Sequence, residues 1–183
     1  MTRAAKRTMM FAVVFALLVL GAFWIGTHRE SGPARPPVAA DSTRAGVRSV
    51  ELYFAAANGD SLVREEREVV EPATFRDQVV MLVSELDRGP RGRGVAALPA
   101  GTSVLRVYRD DHGLLTVDLS GAFRQGFRGG ATAEYLAIAS LVRTLSANLP
   151  EVERVMVVCA GRPIATLGGH LPLDRPLDVA DWP

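Results

Sequence analysis

Three histidines, one cysteine and a few carboxylates hold most of this chain's chemical potential, and their spacing decides what they can do. His28, His112 and His170 have no partner at helical HxxxH spacing and no neighbouring cysteine, so no metal-ligand pattern is present. Cys159 is the single cysteine and follows the apolar run Val155-Met156-Val157-Val158, which suits a small core residue. A lone thiol closes no internal disulfide. There is no GxSxG elbow, Walker loop or GxGxxG. Asp110 and Asp111 beside His112 fit a turn better than a cation site. Gly126-Phe127-Arg128-Gly129-Gly130 lacks the Lys-Ser/Thr ending of a phosphate loop and reads as the approach to a helix.

One polar group at a strand end remains, Asp118-Leu119-Ser120. With Arg128 in the Gly- and Arg-rich loop that follows, Asp118 and Ser120 form the candidate structural or binding loop. No histidine or second carboxylate is placed by sequence to complete a catalytic set, so no catalytic residue, cofactor or metal is assigned. Asp118 is expected to accept backbone N–H bonds from the next turn and hold the strand exit.

Periodicity supplies the elements that must position these groups. Ser49–Phe54 reads as a strand, Asn58-Gly59-Asp60 as a turn, and Ser61–Val70 as a returning strand with an exposed, Glu-rich middle. Pro72–Leu86 reads as a helix with Phe75, Val79, Leu82, Val83 and Leu86 on one stripe, ended by Gly89-Pro90. Arg91-Gly92-Arg93-Gly94 follows as a flexible loop. Ser103–Tyr108 and Leu114–Leu119 read as a hairpin, with Leu105, Val107, Leu115, Val117 and Leu119 inward. A second helix is expected over Ala131–Asn148, burying Tyr135, Ile138, Leu141, Val142 and Leu145. Arg154–Cys159 is a central strand, and Ile164-Ala165-Thr166 a short last one. The expected fold is α+β: a two-layer sandwich of the split βαβ kind, with two amphipathic helices on one face of a mixed sheet.

The N-terminus is of a different kind. Met9–Gly26 is an apolar run of 18 residues, about 27 Å as a helix, preceded by Arg3, Lys6 and Arg7. It reads as a signal-anchor with residues 1–8 cytoplasmic and the remainder exported. The alternative is a cleaved signal peptide, which usually has a core of about 7–15 residues and a small-x-small site; Trp24-Ile25-Gly26-Thr27-His28 is a poor one. Either way the domain leaves the cytoplasm. Residues 27–48 are a Pro-rich linker, 49–177 the domain and 178–183 a tail. From Ser49 onward there are 14 arginines against 18 acids, so the domain is acidic, which excludes a nucleic-acid partner.

An ordered set of strings resembles one family. Val50-Glu51-Leu52-Tyr53-Phe54, Glu66-Arg67-Glu68-Val69, Leu86 with Gly89-Pro90, and Leu98-Pro99-Ala100-Gly101-Thr102 come first. Val117-Asp118-Leu119-Ser120 with Phe123, Glu134, Leu141-Val142-Arg143-Thr144-Leu145, Val152, Val155, Gly161 and Gly168-Gly169-His170 complete it. The set, across residues 48–177, is similar to the GerM-type (GerMN) sporulation and spore germination domain. The resemblance implies a non-enzymatic extracytoplasmic module with a fold like the ring-building motifs of secretion-type assemblies. One copy, no lipidated cysteine and the Arg91–Gly94 insertion depart from the best-known members and argue against carrying over a sporulation role. The expected protein is a membrane-anchored envelope protein on the periplasmic or extracellular side. Its partners are the membrane and an envelope protein or another copy of itself; the alternative is a ligand-binding module for a cell-wall fragment.

Overall fold

The computed structural model describes residues 46–182, so the apolar segment 9–26 and nearly all of the linker lie outside the described residues. Among the described residues no helix is long and apolar enough to cross a membrane. The described residues begin with a long hairpin: β1 (Val47–Ala55) pairs antiparallel with β2 (Leu62–Val70), from Val47 opposite Val70 to Ala55 opposite Leu62. Alternation buries Val50, Leu52 and Phe54 of β1 and leaves Arg64, Glu66 and Glu68 of β2 in water. The middle of β2 is not wholly exposed: Arg67 is buried, bonding Glu65, the Glu85 carboxylate at 2.8 Å, and the Gly89 carbonyl at 3.0 Å.

Helix α1 (Phe75–Asp87) starts three residues later than Pro72 suggests. Thr74 decides the start, because its hydroxyl accepts from the Asp77 N–H at 3.1 Å. Four residues of the predicted stripe, Val79, Leu82, Val83 and Leu86, are buried, the fifth, Phe75, is half-buried with the Arg109 guanidinium over its ring, and Gly89 at φ +81° ends the helix.

The second sheet is built from β3 (Val104–Arg109), β4 (Leu114–Leu119), β5 (Arg154–Cys159), β6 (Arg162–Pro163) and β7 (Leu177–Asp178). Its order is β3-β4-β5-β6, with β7 also on β5. β4 and β5 are parallel, and α3 (Ala131–Asn148) makes the crossover between them, the split βαβ element. A short helix α2 (Gly121–Gln125), unforeseen from sequence, fills the exit from β4 and buries Phe123. The α+β class therefore holds, with the strands divided between two hydrogen-bonded sheets.

Four expectations need correction. Leu105 is exposed, because a β-bulge between Val104 and Arg106 shifts the register and turns it outward. Tyr135 is half exposed and stacks on Trp182, centroids 5.1 Å apart, while Leu136 and Ala137 enter the core. The strand after β5 is Arg162–Pro163 instead of Ile164–Thr166, because Ala160 and Gly161, both at positive φ, turn the chain back at once. Residues 178–182 belong to the fold: Asp178 pairs with Arg154 in β7, and Trp182 is buried.

The free side of β1 is closed in an unusual way. Ser140, Thr144 and Asn148 fall at i, i+4 and i+8 on one face of α3. The Tyr53 N–H donates to Thr144 Oγ1 at 3.0 Å, and the Ser140 hydroxyl donates to the Tyr53 carbonyl. Asn148 both accepts from the Glu51 N–H (3.0 Å) and donates to its carbonyl (2.7 Å). A helix face thus does for β1 what a neighbouring strand would do.

Candidate functional site

Glu134, in the first turn of α3, is completely buried and holds the C-terminal loop. Its Oε1 accepts from the N–H groups of Leu167 (2.9 Å) and Gly168 (2.8 Å), and its Oε2 from the N–H of His170 (2.8 Å). His170 Nδ1 lies 3.0 Å from Oε2. Burial alone raises a carboxyl pKa, but the N–H groups of Gly168, His170 and Leu171 and the His170 ring outweigh it. They hold Glu134 below the ordinary glutamate value, so it stays ionised. Gly168 is required by space, because a Cβ there would meet the Phe127 ring at 2.6 Å and Glu134 at 3.1 Å. Sequence reasoning noticed Glu134 and Gly168-Gly169-His170 only as separate strings; 33 residues part Leu167 from Glu134, and no local pattern links them.

The three loop residues singled out from sequence are placed separately. Asp118 is buried, accepts from the Gly161 N–H at 2.8 Å, and lies 3.5 Å from the exposed guanidinium of Arg106. Its partner turn is the β5–β6 hairpin, not the turn that follows it in sequence. Ser120 ties two other segments: its Oγ accepts from the Ser103 N–H (3.2 Å) and donates to the Gly101 carbonyl (3.1 Å). Arg128 is exposed and donates to the carbonyls of Gln125 and Phe127. It borders a cleft of about 650 Å³ lined by Ala55, Ala57, Val95, Leu98 and Phe127, which neither Asp118 nor Ser120 lines. The Arg91–Gly94 loop is tied down by Glu65, whose Oε2 accepts from the N–H groups of Arg91 (2.9 Å) and Gly92 (3.0 Å). Among the described residues no group of three or more His, Cys, Asp or Glu is placed to hold a metal ion.

Besides that cleft, two further features among the described residues are open to partners. The first is the outer side of β2. Val50, Leu52 and Phe54 take the inward-facing groups of Val63, Glu65 and Arg67, so the N–H and C=O groups of Arg64, Glu66 and Glu68 point away from β1. Those groups have no hydrogen-bond partner among the described residues. The second is a cleft of about 360 Å³ lined by Tyr53, Asp60, Ser61, Tyr135, Arg143 and Trp182.

A family model described as Germane, sporulation and spore germination, matches residues 51–165. The chain belongs to this family. Germane domains have been solved elsewhere, and the fold agrees. The tandem GerMN domains of the sporulation protein GerM from Bacillus subtilis align with 74% of this chain and 48% of theirs, at 19% identity and TM-score 0.58. The first GerMN domain of GerM alone aligns over 72% of this chain and 97% of its own length, at 20% identity and TM-score 0.54. A candidate lipoprotein from Clostridium perfringens aligns over 74% and 90%, at 19% identity and TM-score 0.53. At such identities the likeness concerns the fold. No curated protein matches the sequence. The Germane family is not known as an enzyme family.

Proposed function

We propose that the chain is a non-enzymatic, membrane-anchored envelope protein whose Germane domain docks a protein partner, or another copy of itself, along the open edge of β2. The observation that carries this reading is the contrast between the two edges of the hairpin. β1 has every outward group at Glu51 and Tyr53 capped by α3, whereas β2 runs nine residues with Arg64, Glu66 and Glu68 uncapped. Exposed charges keep such an edge from indiscriminate pairing while leaving its backbone free for a partner strand that matches them. The structural neighbours support placement in the envelope: one is a candidate lipoprotein and the other belongs to a sporulation protein. The apolar run 9–26 behind Arg3, Lys6 and Arg7 supplies the anchor in this reading.

Site-specific photo-crosslinking in intact cells tests it. A photoreactive residue at Glu66 or Glu68 is expected to give a discrete crosslinked band, and one at Tyr108, exposed on β3, is not. A reporter fused after Pro183 should be active only outside the cytoplasm. Equal crosslinking at Glu66 and Tyr108, or a reporter active in the cytoplasm, would overturn the proposal.

A further inference from the structure

The cleft at the start of α3 has a composition that the docking edge does not explain. One wall is aromatic. The rings of Tyr135 and Trp182 stack at 5.1 Å between centroids and 24° between planes. Trp182 is the buried member of the pair, and Tyr135 is 47% exposed. Tyr53 also lines the cleft, and its ring carries the Arg143 guanidinium 4.8 Å from its centroid. The floor is made by Leu136 and Ala139, both buried. The rim is polar, with Asp60 and Ser61 from the β1–β2 turn.

The parts are held rigidly before anything binds. Arg143 donates to the Trp182 carbonyl at 2.9 Å, which fixes both the guanidinium and the end of the chain. The Tyr53 hydroxyl donates to Glu51 at 3.1 Å and sits 3.4 Å from Arg143 Nη2. Asp60 accepts from the Ser61 hydroxyl at 2.8 Å through Oδ1, which leaves Oδ2 without a partner among the described residues. A guanidinium has five N–H donors, and two of them are engaged among the described residues. The cleft therefore offers one free aromatic face, one free carboxylate oxygen and free guanidinium donors. The aromatic face and the guanidinium are preset on α3, β1 and a packed C-terminus, which lowers the entropic cost of binding; the carboxylate comes from the β1–β2 turn, where the Ser61 hydroxyl bonds it.

That set of groups selects a ligand chemistry. An apolar ligand would bury the free Asp60 oxygen and the free Arg143 donors without partners, at a cost. An anion would be repelled by Asp60, and a cation by Arg143. A neutral polyol satisfies both, because each hydroxyl donates and accepts, and the ring of a pyranose carries C–H groups on one face that pack on an aromatic side chain. The volume, about 360 Å³, lies at the small end of ligand sites, about 300–1,000 Å³. We infer that this cleft binds a sugar unit of a neutral glycan, with Tyr135 as the stacking platform and with Asp60 and Arg143 bonding adjacent hydroxyls. The inference stands apart from the β2 edge, whose groups lie on a different side chain set, so either can fail alone.

The test uses the full chain in lipid nanodiscs with Trp24→Phe, which leaves Trp182 as the only tryptophan of two. The probes are chitotetraose, cellotetraose and mannotetraose at millimolar concentrations, followed by Trp182 emission and by calorimetry. At least one tetrasaccharide is expected to bind and to shift the emission. Tyr135→Ala and Asp60→Asn should each weaken binding about ten-fold or more. Tyr108→Ala, on another sheet, should leave it unchanged. Binding of none of the three sugars overturns the inference. So does binding that survives both Tyr135→Ala and Asp60→Asn with unchanged affinity.

Discussion

Replacing Glu134 with Gln changes one oxygen to nitrogen and tests whether the buried carboxylate holds the C-terminal loop. In the native domain Glu134 accepts three backbone N–H bonds at 2.8–2.9 Å and faces His170 Nδ1 at 3.0 Å. A glutamine keeps one oxygen for Leu167 and Gly168, but those two bonds fall from charge-assisted to neutral strength, about 1 kcal/mol each. Its amide nitrogen then faces the His170 N–H, donor against donor, which leaves a buried N–H unpaired at about 1–3 kcal/mol. Glu134→Gln should therefore destabilise by about 3–5 kcal/mol at neutral pH, read by urea denaturation of the purified protein. The pH dependence has a definite sign. The folded-state pKa of Glu134 is depressed, so its stabilisation is complete above the unfolded value of about 4.3 and is lost as pH falls through the folded value. The gap between wild type and Glu134→Gln should be constant above about pH 5 and should shrink below about pH 4. A loss under about 0.5 kcal/mol, or a gap that does not change on acidification, would refute the role given to Glu134.

Three further predictions concern packing and edge closure. Leu82→Ala should cost about 2–5 kcal/mol in thermal or urea unfolding, because Leu82 is buried mid-stripe on α1. Thr144→Val removes the acceptor for the Tyr53 N–H and should cost about 1–3 kcal/mol; faster amide exchange at Tyr53 would locate the effect. Asp118→Ala should cost about 1–2 kcal/mol, because it leaves the Gly161 N–H unpaired. An unchanged melting temperature for Asp118→Ala would count against its purely structural placement.

Long, strongly periodic elements were legible in the sequence. The bounds of α3 agree residue for residue, and the stripe on α1 is as the spacing predicts. Errors arose where a tertiary partner overrode local pattern. Leu105 alternates correctly in sequence, but one bulge residue reverses it. Tyr135 fits the apolar stripe of α3, yet Trp182, 47 positions further on, gives it a stacking partner at the surface. The Ser140, Thr144, Asn148 repeat was present as a polar stripe at i, i+4 and i+8, the one signal that β1 would be edged by a helix. The Glu134 strap and the aromatic cleft join segments far apart in sequence, so no local spacing announces them.

A partner strand on the outer side of β2 would need the Glu66 backbone, and Glu66→Pro removes that contact. The Glu66 N–H points away from β1, so proline there removes an outward donor while sparing the β1–β2 ladder. The measurement is the yield of the Glu68 photo-crosslink in cells, compared between the native chain and Glu66→Pro, alongside the melting temperature of each purified protein. The crosslink is expected to fall at least about ten-fold while the melting temperature changes by only a few degrees. A crosslink of undiminished yield in a chain carrying Glu66→Pro would contradict it.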